Sequence, residues 1–419
     1  MKIATVGLWH LGTVTSLCLS DLGHDVYAFD QDEEVIRNFN LNIPVVYEPK
    51  IKNLLSKHLK KKIFFSSNLD DLKKYKVIFV NYDTKIQKND SSNFQLLFNK
   101  IKKILKIASK NTLIIVTSQI PVGSIKKFEN FEKKFVKKKI EFVYIPENLR
   151  LGKSVEIFKN PDRMVFGIRN LKSKNISSKI YKKIKCNKIF VSPETAEMNK
   201  HVINSFLACS ISFINEIGNI SKKFQIPFDD LEKCVKSDKR IGYQSYLKPG
   251  NAFSGGTLGR DLNYLIEISN KLNLSNNLIK SIYKSNQIHS RWVTHYIEKN
   301  FKSNKCKILQ IGLSYTENTS TLRRSLPFQI FKYLNKKYNI KFCDNDYIMK
   351  SKETSKFKKQ AIDYSKKDKF NLILIFSDNF NFNLIKQNLR KNTFVLDANS
   401  SIKTKNFFKK YRYISTENV

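Results

Sequence analysis

The chain has 419 residues, 41% of them hydrophobic, and carries 76 Lys and Arg against 36 Asp and Glu, a formal net charge of +40. That length is enough for two or three domains with sizeable cores. No run approaches the ~20 apolar residues of a membrane helix, and the chain opens directly in a buried-type strand, so neither a membrane span nor a signal peptide is expected.

The six cysteines (Cys18, Cys186, Cys209, Cys234, Cys306 and Cys343) form no C-x-x-C pair and have no histidine cluster beside them. Neither a zinc site nor a disulfide framework is indicated by that pattern; no metal is expected, and the expected location is cytoplasmic. The lysines are spread through nearly every helix-like segment, including 100–110, 133–139 and 350–369, and are not gathered into an arm or stripe. Dispersed positive charge attracts phosphorylated anions and causes salt-sensitive sticking, but marks no specific nucleic-acid partner.

Residues 2–30, KIATVGLWHLGTVTSLCLSDLGHDVYAFD, run apolar strand, glycine turn, amphipathic helix, second apolar strand and acid. This is the order of a dinucleotide-binding βαβ unit. Gly7 and Gly12 bring backbone N–H groups and a helix N-terminus to a pyrophosphate, and Asp30 holds a ribose hydroxyl. An acid there favours NAD over NADP by repelling a 2′-phosphate. The middle glycine of G-x-G-x-x-G is Trp9, whose indole must point elsewhere or reshape the turn.

Candidate strands follow at 3–6, 26–29, 77–81, 113–117, 142–145, 164–167 and 188–191, alternating with helical stretches. That alternation predicts a doubly wound parallel sheet. From 193 to 301 the strand signal disappears, and 194–224 reads as one long helix with apolar residues at helical spacing. Its length suits a structural spine and a subunit interface. After 302 the alternation resumes with KILQIGL, IKFCD, FNLILIF and FVLDA. The expected class is α/β: two Rossmann-like doubly wound domains, 1–192 and 302–419, joined by a central helical domain, 193–301.

Several segments could carry chemistry. Lys200 and Asn204, four apart, share one face of the long helix. A lysine beside an amide can hold a substrate oxygen, although spacing alone suits a solvated surface lysine as well. The irregular stretch 238–261 offers Arg240, Lys248 and Arg260 for phosphates, and Tyr243, Tyr246 and Phe253 for stacking on a base or sugar. Glu147 follows a strand end, where α/β sheets place their sites, or it caps the next helix. Arg323 and Arg324, after a strand and a Thr/Ser-rich turn, suit a phosphate.

In this order PENLRLG with NPDR, AEMNKHVINSFLA, DKRIG…LKPG…FSGG…D and GLSYTENTSTLRRS resemble motifs of the UDP-glucose/GDP-mannose dehydrogenase family over nearly the whole chain. The resemblance implies an NAD domain, a central dimerisation domain and a nucleotide-sugar-binding domain. It implies oxidation of the sugar alcohol of a nucleotide sugar, a UDP-sugar above all, by a homodimer. Lys200 and Asn204 would hold the reacting oxygen, Asp261 would activate water, Glu147 would assist hydrolysis, and Arg240 would reach the neighbouring subunit's sugar site. Leu11, Arg37, Thr84, Ser118, Glu147, Arg260 and Arg323 would join Gly7, Gly12 and Asp30 around NAD. Tyr246, Lys248, Phe253 and Gly255 would line the substrate site.

The departures fall at the chemistry. The nucleophilic cysteine of the family is Thr257 in an ungapped alignment and Leu258 when the glycines are matched; none of the six cysteines lies in 252–261. Only Cys209 or Cys234 folding back could substitute. A threonine hydroxyl needs a dedicated base to act as a nucleophile, so the expectation is a reaction that stops after two electrons or completes the second step by another route, such as direct hydration of the aldehyde. The alternative is a non-catalytic, regulatory homologue that binds NAD and nucleotide sugar. Leu151, Thr316 and Asn399 replace charged family residues and leave the sugar, and the choice of UDP or GDP, open.

Overall fold

The computed structural model describes residues 1–83, 94–302, 305–315, 322–363 and 368–415. Thr84 and Thr316 lie outside them. The chain divides into two compact units, Met1–Val202 and Ile203–Val419.

The first unit is built on an eight-stranded sheet: β1 (Lys2–Val6), β2 (Asp25–Phe29), β3 (Ile63–Ser66), β4 (Val77–Val80), β5 (Leu113–Val116), β6 (Glu141–Tyr144), β7 (Arg163–Gly167) and β8 (Asn187–Val191). The order is β3-β2-β1-β4-β5-β6-β7-β8, so the winding reverses between β1 and β4. Every side chain of β4 (VIFV) and β5 (LIIV) is buried, as a sheet covered on both faces requires. One face packs Leu17, Leu55, Phe79 and Phe166, and the other packs Val80, Ile101, Phe128 and Tyr144.

One expectation needs correction. The sheet is not wholly parallel, because β7 joins β6 antiparallel through the single pair Tyr144↔Gly167, and β8 continues parallel to β7. The connection holds only the short helix Ser154–Lys159, and Lys159 is tied to Asp21 at the end of helix His10–Asp21. It therefore lies on that helix and makes no crossover back along β6.

The second unit carries a five-stranded parallel sheet of β9 (Lys307–Ile311), β10 (Asn339–Cys343), β11 (Leu372–Ile375), β12 (Phe394–Asp397) and β13 (Arg412–Ser415), in the order β10-β9-β11-β12-β13. Its two faces bury Phe331 and Phe342 on one side, Phe370 and Phe408 on the other. The helices Phe228–Ser237, Leu258–Lys271, Asn277–His289 and Trp292–Asn300 precede it. The helix Pro193–Lys223 runs without a break across the boundary of the two units. Two Rossmann-like doubly wound sheets, with a helical region between them in sequence, are thus present.

Each sheet closes its first glycine turn the same way. Gly7 N donates to Phe29 O at 2.9 Å, and Leu8 N donates to Asp30 at 2.7 Å. In the second sheet Gly312 N donates to Cys343 O at 2.9 Å, and Leu313 N donates to Asp344 at 2.6 Å. Both glycines have positive φ, +90° and +89°, a conformation that L side chains rarely adopt.

Candidate functional sites in the two units

In the first unit the winding reverses where Gly7 follows β1 and Asn81 follows β4. A Cβ on Gly12 would sit 1.6 Å from the Gly7 carbonyl oxygen, so the helix His10–Asp21 approaches the turn as closely as backbone permits. The indole of Trp9 points into solvent, 52% exposed, and its φ of −71° suits any residue, so the turn is kept without the middle glycine. Trp9 provides no side-chain cap for that helix, which leaves the N-terminal N–H groups to a ligand.

Asp30 follows β2, with one carboxylate oxygen on Leu8 N and the other on Asp32 N, at 2.7 and 3.1 Å. Asn81 is buried; its Oδ1 accepts from the Thr117 hydroxyl at 2.6 Å, while its Nδ2 has no partner. Ser118 lies beside it, its hydroxyl 3.3 Å from Val80 O. A glycine cradle, an uncapped helix start, an oriented acid and an orphaned buried amide donor fit a dinucleotide. Leu11 is half-buried in the first turn of the helix, and Arg37 is exposed on the helix Glu33–Asn40.

Glu147 is half-buried just beyond β6 and accepts from Leu149 N, so it closes its own turn. The following helix is served instead by Glu48, which takes Ser154 N at 2.8 Å and Gly152 N at 3.0 Å. His10 donates to the same Glu48 at 2.9 Å, joining the PENLRLG loop to the glycine turn. Lys200 is no surface lysine: it is buried, with Nζ 3.4 Å from Asn148 Oδ1. One turn earlier Glu197 is fully buried; its carboxylate takes Gly123 N at 2.6 Å and Ile125 N at 2.8 Å. Burial pushes its pKa up to about 7 in spite of those two bonds. His201 contacts Ile120 O at 3.0 Å; a carbonyl only accepts, so Nε2 carries the hydrogen.

In the second unit Asn204 donates its amide hydrogen to Asp261, and both are buried. Arg260 is buried beside Asp261, its Nε without a partner. Thr257 is exposed at the start of the helix Leu258–Lys271 and makes no side-chain bond to its N-terminus. Leu258 packs toward Ala208, Leu262 and Ile282, the same small cluster that Cys209 and Phe253 join; Cys234 is exposed.

A cavity of ≈ 750 Å³ is lined by Tyr246, Lys248, Asn251, Phe253, Tyr315 and Asn399 among others. Gly255 has φ +83°, and a Cβ there would meet the Tyr315 ring at 2.7 Å. Asn399 gives its amide hydrogen to Phe376 O at 2.7 Å and accepts from Asn251. That relay orients Asn251 with its buried Oδ1 unpaired. Arg240 is exposed and paired with its neighbour Asp238 at 2.6 Å, and Arg323 is exposed. Sequence spacing does not reveal His10, Glu48, Asn81 or Glu197, because their partners lie tens of residues away. Among the described residues no group of acids, histidines and cysteines could hold a metal, and no helix is long and apolar enough to cross a membrane.

The NAD-binding-domain model of the UDP-glucose/GDP-mannose dehydrogenase family matches residues 1–185, and its central-domain model matches 194–288. The UDP-glucose 6-dehydrogenase of Rickettsia bellii is 30% identical over 345 residues, 80% of this chain and 78% of that protein. YwqF, a UDP-glucose 6-dehydrogenase of Bacillus subtilis, is 27% identical over 330 residues, 78% of this chain and 75% of that protein. Among solved structures, a UDP-glucose dehydrogenase from Pyrobaculum islandicum superposes with a TM-score of 0.88 at 20% identity, covering 100% of this chain and 98% of that one. The UDP-N-acetyl-mannosamine dehydrogenase Cap5O of Staphylococcus aureus gives 0.81 at 21% identity, covering 100% and 99%. At such identities the structural likeness speaks for the fold, and the family rests on the sequence matches. The chain belongs to the UDP-glucose/GDP-mannose dehydrogenase family and is, with it, an NAD-dependent oxidoreductase acting on CH–OH groups.

Proposed function

We propose that this protein oxidises the sugar alcohol of a nucleotide sugar, as a UDP-glucose 6-dehydrogenase does in its first step, and stops at the aldehyde. The observation that carries the reading is a buried lysine and a buried amide–carboxylate pair, with Thr257 or Leu258 where the family's cysteine would stand. Lys200 and Asn204 lie four residues apart on one helix, Asn204 donates to Asp261, and residues 252–261 contain no cysteine. Lys200 and Asn204 bind the reacting oxygen, and Asp261, held by Asn204, takes part in moving its proton. Bound NAD supplies the hydride acceptor: the C–H electron pair leaves with the hydride, the O–H proton leaves separately, and a C=O remains. Without a thiolate no covalent adduct holds the aldehyde for a second oxidation.

The UDP-sugar is favoured as substrate by the curated relatives named UDP-glucose 6-dehydrogenase. The second unit's cavity, with Tyr246 and Phe253 for stacking and Lys248 for a phosphate, supports a nucleotide sugar there. The partition 1–192, 193–301 and 302–419 remains our assignment of the three working parts. A homodimer through the long helix is supported by an exposed apolar stripe of Met198, Val202, Phe206, Phe213 and Ile220 along it, with Phe224 just past its end.

The test is NADH formed per sugar consumed, with NAD and a panel of UDP- and GDP-sugars. A ratio near one supports the two-electron reading. A ratio near two means that the acid is made without the usual thiol. No NADH with any sugar, together with retained ligand binding, would turn the reading toward a regulatory binding protein.

A further inference from the structure

The face of the long helix that carries Lys200 also carries Glu197, His201 and Asn204, at spacings of three and four residues. Two of these side chains grip backbone. Glu197 takes both Gly123 N and Ile125 N, the free donors at the start of the helix Ser124–Phe131, and His201 donates to Ile120 O. The segment so held, TSQIPVGS, is anchored at its other end where the sheet reverses: Thr117 bonds Asn81, and Ser118 bonds Val80 O. A single loop therefore connects the cofactor cradle to the helix bearing the lysine, and Glu197 is its fastening on the helix side.

We propose that Glu197 is a positioning residue. Its carboxylate, by accepting both N–H groups, fixes the rotation of the long helix so that Lys200 stays turned toward Asn148 in the PENLRLG loop. The inference rests on the reading of Lys200 as the lysine that holds the reacting oxygen. The fastening requires an ionised carboxylate. A neutral carboxyl offers one accepting oxygen and one O–H, and the O–H would face an N–H, so one of the two bonds must break. Burial holds the pKa of this acid at about 7. The charged groups around it are His201 and Glu194 on its own helix, with Lys126 acting on Glu194 and Arg169 tying Glu194 to Glu129 of the helix Ser124–Phe131. The fastening thus loosens as pH falls through neutrality.

Glu197→Gln reproduces the loosened state at every pH, because its amide N–H meets a backbone N–H. The experiment acylates intact protein with a small amine-reactive ester and follows Lys200 by peptide mass spectrometry, parent against variant. At about pH 8.5 the variant's Lys200 is expected to react ~3-fold faster or more, and at about pH 6, where the parent has loosened too, the rates converge. Equal labelling at both pH values overturns the proposal. In parallel, kcat should fall ~10-fold or more with the sugar KM within ~3-fold, and the acid limb near neutrality should vanish; parent-like kcat and pH profile in the variant would also overturn it.

If the parent makes no NADH while the labelling difference is present, the positioning stands and the proposed substrate fails. If NADH is made and labelling does not differ, the positioning fails alone. Should Glu197→Gln not fold, Glu197→Asp, one methylene shorter and able to keep one of the two bonds, is expected to show the same labelling pattern at smaller amplitude. Parent-like labelling in it overturns the proposal.

Discussion

Gly12→Ala tests the cofactor cradle most directly. The added methyl would lie 1.6 Å from the Gly7 carbonyl oxygen and 2.7 Å from its carbon, whereas ordinary contact begins at 3.4 Å. Both atoms are backbone, so no rotamer relieves the clash; the helix His10–Asp21 must retreat from β1 by well over an ångström. Overpacking in a filled core costs ~1–3 kcal/mol and more where backbone must move. We expect ~3 kcal/mol here, a fall of ~6–12 °C in the melting of a unit of this size.

The same retreat withdraws the turn's N–H groups from the pyrophosphate, and NAD binding should weaken ~100-fold. Fluorescence titration with NAD and a thermal melt read the two effects. Trp9→Gly serves as the contrast: an exposed residue at ordinary φ, it should change stability by no more than ~0.5 kcal/mol. A Gly12→Ala variant that binds NAD within about threefold of the parent would refute the placing of the cofactor in this turn.

Asp30→Asn keeps an acceptor for Leu8 N but removes the charge that repels a 2′-phosphate, so the ratio of NAD to NADP affinity should fall ~10-fold, measured by paired titrations. Thr257→Cys puts a thiol at the start of the helix Leu258–Lys271, where the helix lowers its pKa, and should move NADH per sugar from near one toward two. A rise with Leu258→Cys alone would place the vacated nucleophile one residue later. For Glu197 the folded pKa lies above its ordinary value, at about 7 against 4.5, so the folded state favours the neutral acid. Its stabilising contribution, about 3 kcal/mol, is full below the ordinary pKa and is lost as pH rises through the folded one. Denaturant titrations at about pH 5 and about pH 8 should show that loss in the parent and its absence in Glu197→Gln.

What the sequence discloses and what it hides divide along the range of the interactions. The long helix is legible to within a residue at each end, because its apolar spacing is a local property, and so are the central strands, whose runs are wholly apolar. The edge strands β3 and β13 are not. Their side chains are buried on one face at most, and IFFS after three lysines carries little signal. The direction of β7 is invisible for another reason, since alternation of strand and helix has no sign. At the site, Gly7, Gly12 and Asp30 declare themselves because turn chemistry is written in adjacent residues. Lys200 passes equally well for a surface lysine until the loop after β6 is placed beside it. Glu48 and Glu197 act through partners 38 to 106 residues away, which no window along the chain can bring together.

The buried carboxylates have a consequence for the outside of the molecule. Glu48, Glu132, Glu197 and Asp397 turn their oxygens to backbone N–H groups, and Asp261 turns one to an amide. An excess of 76 cationic over 36 anionic side chains is therefore steeper at the surface than in the composition, because acids of the minority sign are withdrawn inward. In solution such a particle behaves as a polycation: its association with polyanions and anionic matrices, and its own colloidal repulsion, are governed by ionic strength. Ligand affinities and oligomeric state measured in dilute buffer will describe that ion atmosphere as much as the sites themselves.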